Sequence, residues 1–143
     1  MKKIVFIPLC ACFFYACEEV DPKDCEMAVC SEQFNSVYLQ VRDTLQQPIA
    51  LDTFKIINMM DMTPVVLPVT DSIMDEMRHT GDYLVLNDLF VRGHENTRVV
   101  VEFTGVLKEK PLFKRAVTVD IDCCHISPVY GELSVVVDTL QIR

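Results

Sequence analysis

The sequence predicts an all-β protein, an antiparallel β-sandwich of about seven strands. Three observations carry that expectation. Apolar and polar residues alternate with period two in several runs along the chain, the pattern of strands with one face buried. Turn signals separate these runs about every eight to fifteen residues, the spacing of short strands in a sandwich. Helical periodicity is confined to one short stretch near residues 71–79.

The elements follow in order. Asn35 to Asp43 sets Val37, Leu39 and Val41 against Tyr38, Gln40 and Arg42, so successive side chains divide between core and solvent. Gln46-Gln47-Pro48 turns the chain, and Asp52 to Met60 is a second strand. Thr63 to Val69 is apolar but carries Pro64 and Pro68, which confine it to an edge strand or a loop. Asp71 to His79 predicts a short helix, capped by Asp71 or Thr70, with Ile73, Met74 and Met77 on one side and Gly81 at its end. Tyr83 to Leu89 reads as a strand and Arg92 to Asn96 as a turn. Arg98–Leu107 and Leu112–Cys123 pair as a hairpin about Lys108-Glu109-Lys110-Pro111, with Gly105 a candidate bulge. Ser127-Pro128 to Gly131 breaks the chain, and Glu132 to Asp138 is the last strand, which Ile142 extends.

Ahead of these elements lies a different composition. Lys2 and Lys3 precede an apolar run from Ile4 to Tyr15, short for a membrane-spanning helix and right for a signal peptide. The tetrad Phe14-Tyr15-Ala16-Cys17 resembles the lipobox of bacterial lipoproteins, with Phe14 where Leu is usual and Tyr15 bulky for its place. That resemblance implies cleavage before Cys17 and lipid attachment to it. Glu18, Glu19 and Asp21 resemble the export signal that carries Bacteroidota lipoproteins to the outer face of the outer membrane. The expected organisation is therefore a lipoprotein signal peptide over 1–16, a lipidated tether over 17–31 and a β-sandwich domain over 32–143. The strand around Val37–Val41, the turn at Gln46–Pro48 and the strand from Asp52 resemble the start of transthyretin-like or carboxypeptidase-regulatory sandwiches. Such domains imply non-catalytic scaffolding or binding. An Ig-like arrangement of the strands is the alternative. Asp120-x-Asp122-Cys123-Cys124-His125, followed by Gly131, resembles a recurring ending of small Bacteroidota lipoproteins and implies no activity of its own.

Composition bounds the partners. Removing residues 1–16 leaves 127 residues with 11 basic and 21 acidic side chains, a net charge near −10. That length supports one core. That charge excludes nucleic acid and anionic lipid surfaces as electrostatic partners. An envelope protein or a glycan remains the expected partner, with the membrane reached through the lipid.

The seven cysteines resolve by compartment. Cys10 and Cys12 leave with the leader and Cys17 takes the lipid, so Cys25, Cys30, Cys123 and Cys124 remain as disulfide candidates. A bridge between neighbours Cys123 and Cys124 is strained, so both bridges join the tether to the last third of the chain. Alternation along Val117–Cys124 points Cys123 inward and Cys124 outward. Cys30, beside the first strand, then suits Cys123, and Cys25 suits Cys124.

The remaining constellations read most simply as solvated surface or core. Cys25, Cys30, Cys123, Cys124 and His125 would make a zinc site only if reduced. Met59, Met60, Met62, Met74 and Met77 with His79 resemble a copper-binding cluster. A metal-binding lipoprotein, copper or zinc, is accordingly the alternative function. Asp120 and Asp122 share a strand face and would form a carboxylate pair, or a calcium site with Asp71 or Asp75. The chain holds no H-E-x-x-H, no G-x-S-x-G and no phosphate-cradling loop. The reading is a membrane-anchored, non-enzymatic binding or accessory module without catalytic residues, metal or cofactor. Its contact surface is expected at Pro64–Pro68 and at Arg92–Asn96.

Overall fold

Apolar alternation sorts the chain into two sheets that share one core. The computed structural model describes residues 25–26, 28–129 and 133–138. The leader, Cys17 and the extension at Ile142 lie outside these residues. In chain order the strands are β1 Ser36–Asp43, β2 Thr53–Asn58, β3 Asp82–Asn87, β4 Thr97–Leu107, β5 Lys110–Ile121, β6 Ile126–Pro128 and β7 Ser134–Val137. Helix α1, Asp71–Thr80, lies between β2 and β3. One sheet has the order β3-β1-β7 and the other β2-β4-β5-β6.

The core is the inward half of the alternation. Leu39 and Val41 of β1, Tyr83 of β3, Ile56 of β2, Val99, Val101 and Phe103 of β4, and Val117, Val119 and Ile121 of β5 are all buried. Each such side chain stabilises by about 1.5–3 kcal/mol relative to exposure. Phe54 stacks on Phe103 at 5.1 Å and meets Tyr83 edge-on at 6.0 Å, joining the sheets. The buried Tyr83 hydroxyl accepts from the Leu51 N–H at 2.7 Å and donates to the Ile49 carbonyl at 2.8 Å. This pair of bonds ties the β1–β2 connection into the core and leaves the hydroxyl satisfied.

The helix forms where its caps place it. Thr70 is the N-cap and its hydroxyl accepts from the Ile73 N–H at 3.3 Å. Gly81 ends it with φ 73°, and its N–H returns to the Met77 carbonyl. Arg78 holds α1 to the start of β2 by donating to the Leu51 and Asp52 carbonyls at 3.0 and 2.8 Å. Thr63–Val69 makes one isolated bridge, Ile57 to Pro64, along the β2 edge. Its two prolines prevent a longer ladder. Val65, Leu67 and Val69 are half-buried against the core.

Three details depart from the expected layout of the strands. The β4–β5 turn is shorter than the expected four residues: Lys108 and Glu109 at φ 51° and 62° turn the chain, and pairing resumes at Lys110. The bulge does fall at Gly105, where the register shifts before Val106. The Ser127–Pro128 stretch is strand β6, paired with β5 from Ile121–Ile126 to Val119–Pro128, rather than a break. Finally, β7 pairs with β1 in parallel, Gln40 opposite Ser134 through Asp43 opposite Val137, inside an otherwise antiparallel sandwich. The chain crosses from β6 in one sheet to the open side of β1 in the other, and its direction of arrival decides the sense of that pair.

Candidate functional site

The chain's chemistry gathers at the end of the sandwich where β5 turns into β6. Strand β5 stops at Ile121. Asp122 then accepts the backbone N–H groups of both Cys124 and His125 on one oxygen, each at 2.7 Å, and its own N–H reaches the His125 carbonyl at 3.0 Å. This side-chain cap closes a tight turn. Cys123 and Cys124 therefore sit in a turn, where strand alternation no longer assigns them to faces.

The expected pairing is corrected accordingly. Cys25 bonds Cys123, and Cys30 bonds Cys124, each with Cα atoms 5.3 Å apart. The pairing Cys30–Cys123 with Cys25–Cys124 assumed a strand that has already ended. All four candidate cysteines are engaged, so none of the four offers a thiolate to zinc. Asn96, at φ 53° in the Arg92–Asn96 loop, places its amide nitrogen 3.0 Å from the Cys25 sulfur and 3.4 Å from the Cys123 sulfur. From Cys25 onward the expected tether is thus fastened to the sandwich, and residues 17–24 lie outside the described part.

The second bridge has a consequence for its neighbours. Ser31 follows Cys30 and His125 follows Cys124, so the bond holds both side chains together. Ser31 Oγ lies 2.8 Å from His125 Nε2. His125 Nδ1 lies 2.8 Å from Asp88 Oδ2. Asp88 is held by a 3-10 turn, Asp88–Phe90, at the end of β3. Its carboxylate also accepts from the Asn35 N–H at 2.7 Å and the Ile126 N–H at 2.9 Å. The Asp88 side chain is 9% exposed and that of His125 20%, whereas Ser31 faces solvent. Burial pushes the Asp88 carboxyl up, but the Asn35 N–H, the His125 imidazole and the Ile126 N–H outweigh it and hold it below the ordinary value. An ionised carboxylate has no proton to give, so in the neutral imidazole Nδ1 carries the hydrogen. Nε2 is then the acceptor for the Ser31 hydroxyl.

The sequence offers His125 as a zinc ligand beside the cysteines and does not connect it with Ser31 or Asp88. The three stand 94 and 37 residues apart along the chain, and no short motif links them. The one available signal was adjacency, Cys30-Ser31 and Cys124-His125, read together with the correct disulfide pairing.

Asp75, Asp120, Asp122 and Met77 have structural partners, and the turn methionines do not cluster with His79. Asp120 is paired with Arg98 through two bonds of 2.6 and 2.9 Å, and Asp122 caps its turn, so the two do not act as a carboxylate pair. Asp75 pairs with Arg78 at 2.9 Å. Met77 is buried in the core and its sulfur accepts from the Leu84 N–H at 3.2 Å, while Met59, Met60 and Met62 are exposed in the turn after β2. Among the described residues no group of three or more His, Cys, Asp or Glu side chains is arranged to hold a metal ion. His94 stacks on Phe90 at 4.1 Å and bonds its carbonyl at 3.0 Å.

A hollow of about 780 Å³ opens between α1 and the outer face of the β3-β1-β7 sheet. Tyr38, Ile73, Met77 and Leu133 make its apolar floor and wall, with Glu76 and Asp82 at its rim. Neither expected contact segment contributes to it. Pro64–Val69 instead borders a smaller hollow of about 470 Å³ beside β2. Compared with protein-family models, curated proteins and solved structures, the chain matches none.

Proposed function

We propose that this is a lipid-anchored β-sandwich of a bacterial envelope, exported by its leader, attached through Cys17 and acting as a binding or accessory module for an envelope protein or glycan. The observation that carries the reading is the pair of bridges. Cys25–Cys123 and Cys30–Cys124 are compatible with an oxidising compartment outside the cytoplasm. They also fasten the segment just after Cys17 to the β5–β6 turn, so a pull from the anchor enters the domain through covalent bonds.

Several acyl chains on one cysteine hold a protein on a bilayer stably, since each buried CH₂ contributes about 0.8 kcal/mol. The acidic residues after Cys17 favour the outer surface, and the apolar hollow beside α1 supports a binding role. The experiment is fractionation of cells expressing the full chain or Cys17→Ala. The wild type is expected in the membrane fraction, its N-terminal peptide starting at a diacylated or triacylated Cys17. The variant is expected to be soluble with both bridges formed. Wild-type protein in the soluble fraction with an unmodified Cys17 would overturn the reading.

A further inference from the structure

We infer that Ser31, His125 and Asp88 form an acyl-transfer site, a serine nucleophile with its base and orienting carboxylate, acting on uncharged esters of short acyl chains. This goes beyond the anchoring reading and does not depend on it. Such sets are recognised by geometry and role rather than by chain position. Here the two links are 2.8 Å each, in the order hydroxyl, Nε2, Nδ1, carboxylate. The burial gradient runs the same way, from an enclosed Asp88 through a mostly enclosed His125 to a solvent-facing Ser31. Asp88 is held as an anion by two backbone N–H groups besides the imidazole. It can therefore stabilise an imidazolium without taking its proton.

The Cys30–Cys124 bridge supplies the preorganisation. One covalent bond fixes the residues immediately before the nucleophile and the base, which limits their relative motion far more than packing of an exposed segment would. The Glu32 N–H has no acceptor among the described residues, and it follows the nucleophile, where an oxyanion donor commonly stands. Val29 and Phe34, two and three residues from Ser31 in the chain, are both exposed, an apolar surface open to an acyl group. Glu32 and Asp122 disfavour anionic substrates.

The steps balance with water as the only co-reactant. Ser31 Oγ attacks the ester carbonyl carbon and its proton passes to His125 Nε2. The tetrahedral adduct breaks its C–O bond to the alcohol, which leaves with that proton. Water then attacks the acyl–Ser31 ester, giving its proton to Nε2. The carboxylic acid leaves as the proton returns to Oγ. The net change is ester plus water to acid plus alcohol, with Asp88 ionised throughout.

The test uses the oxidised full chain in detergent with a fluorophosphonate probe and p-nitrophenyl acetate. Peptide mapping is expected to place one phosphonyl group on Ser31. Ser31→Ala is expected to abolish labelling and lower ester hydrolysis at least about 100-fold, His125→Gln and Asp88→Asn also at least about 100-fold, and Gln33→Ala not at all. The paired variant Cys30→Ser with Cys124→Ser, in which Cys25–Cys123 still holds the segment, is expected to lose activity at least about tenfold with an unchanged far-ultraviolet spectrum. Two results would overturn the proposal: absence of labelling on wild-type protein whose bridges are intact by mass, or hydrolysis by Ser31→Ala equal to wild type. The second would mean that the three side chains serve only to pin the segment to the sandwich.

Discussion

Gly81 shows how much one residue carries. It ends α1 in the left-handed region, its carbonyl accepts from the Val41 N–H at 2.7 Å, and a Cβ there would lie 2.8 Å from the Val41 carbonyl oxygen. Gly81→Ala is expected to destabilise by about 1–3 kcal/mol, read from urea unfolding. Gly93, with open space around it, should cost less. Asp88 carries a pH dependence. Its folded-state value is lowered, so its contribution to stability is present at neutral pH and down to the ordinary aspartate value of about 3.9. It is then lost as pH falls through the folded value. Asp88→Asn should flatten that acid limb, and a melting-temperature series from pH 7 to pH 2 checks it. Gly81 was identified from sequence as a helix end. Asp88 was not singled out, because its partners come from Asn35, His125 and Ile126 and nothing local announces them.

At the scale of elements, the clasp between the segment at Cys25–Ser31 and the β5–β6 turn makes a prediction about additivity. The first bridge to form closes a loop of sequence separation 98 or 94, about 4–5 kcal/mol in the chain-entropy model. With it in place, the second closes only the small ring through residues 25–30 and 123–124, about 2–3 kcal/mol. Each bridge removed alone, as a Cys→Ser pair, should therefore cost only about 2–3 kcal/mol. Removing both should cost about 7, more than the two single losses together. Equilibrium unfolding of the three variants tests this, and equal, additive losses would refute it. The elements themselves were largely legible: period-two alternation marked β1 and β5, turn signals set off β2, β3 and β4, and Thr70 with Gly81 bracketed α1. Strand β6 was not, because a three-residue strand containing Pro128 carries no period and exists only because β5 offers it a ladder.

At the scale of the molecule, the two sheets meet in a single core in which Phe54, Phe103 and Tyr83 interlock. Neither sheet has a separate interior, so both should unfold together. Thermal unfolding of the oxidised chain is expected to show one transition, coincident by far-ultraviolet dichroism and tyrosine fluorescence. Two resolved transitions would mean that the sheets are independent units.

Alternation, turn residues, the even cysteine set and the leader ending in Phe14-Tyr15-Ala16-Cys17 determined the class of fold, the identity of the bridging cysteines and the expectation of an anchored protein, because each depends on a local pattern or on composition. Three things were decided only by the tertiary structure. The bridges pair as they do because β5 ends before the cysteines. The last strand runs parallel because it crosses between sheets. Ser31, His125 and Asp88 meet because a disulfide and a capped turn bring distant segments to one end of the sandwich. Periodicity reports which face a residue takes within an element, but which ends of which elements coincide is set by packing and cross-links between residues far apart in the chain.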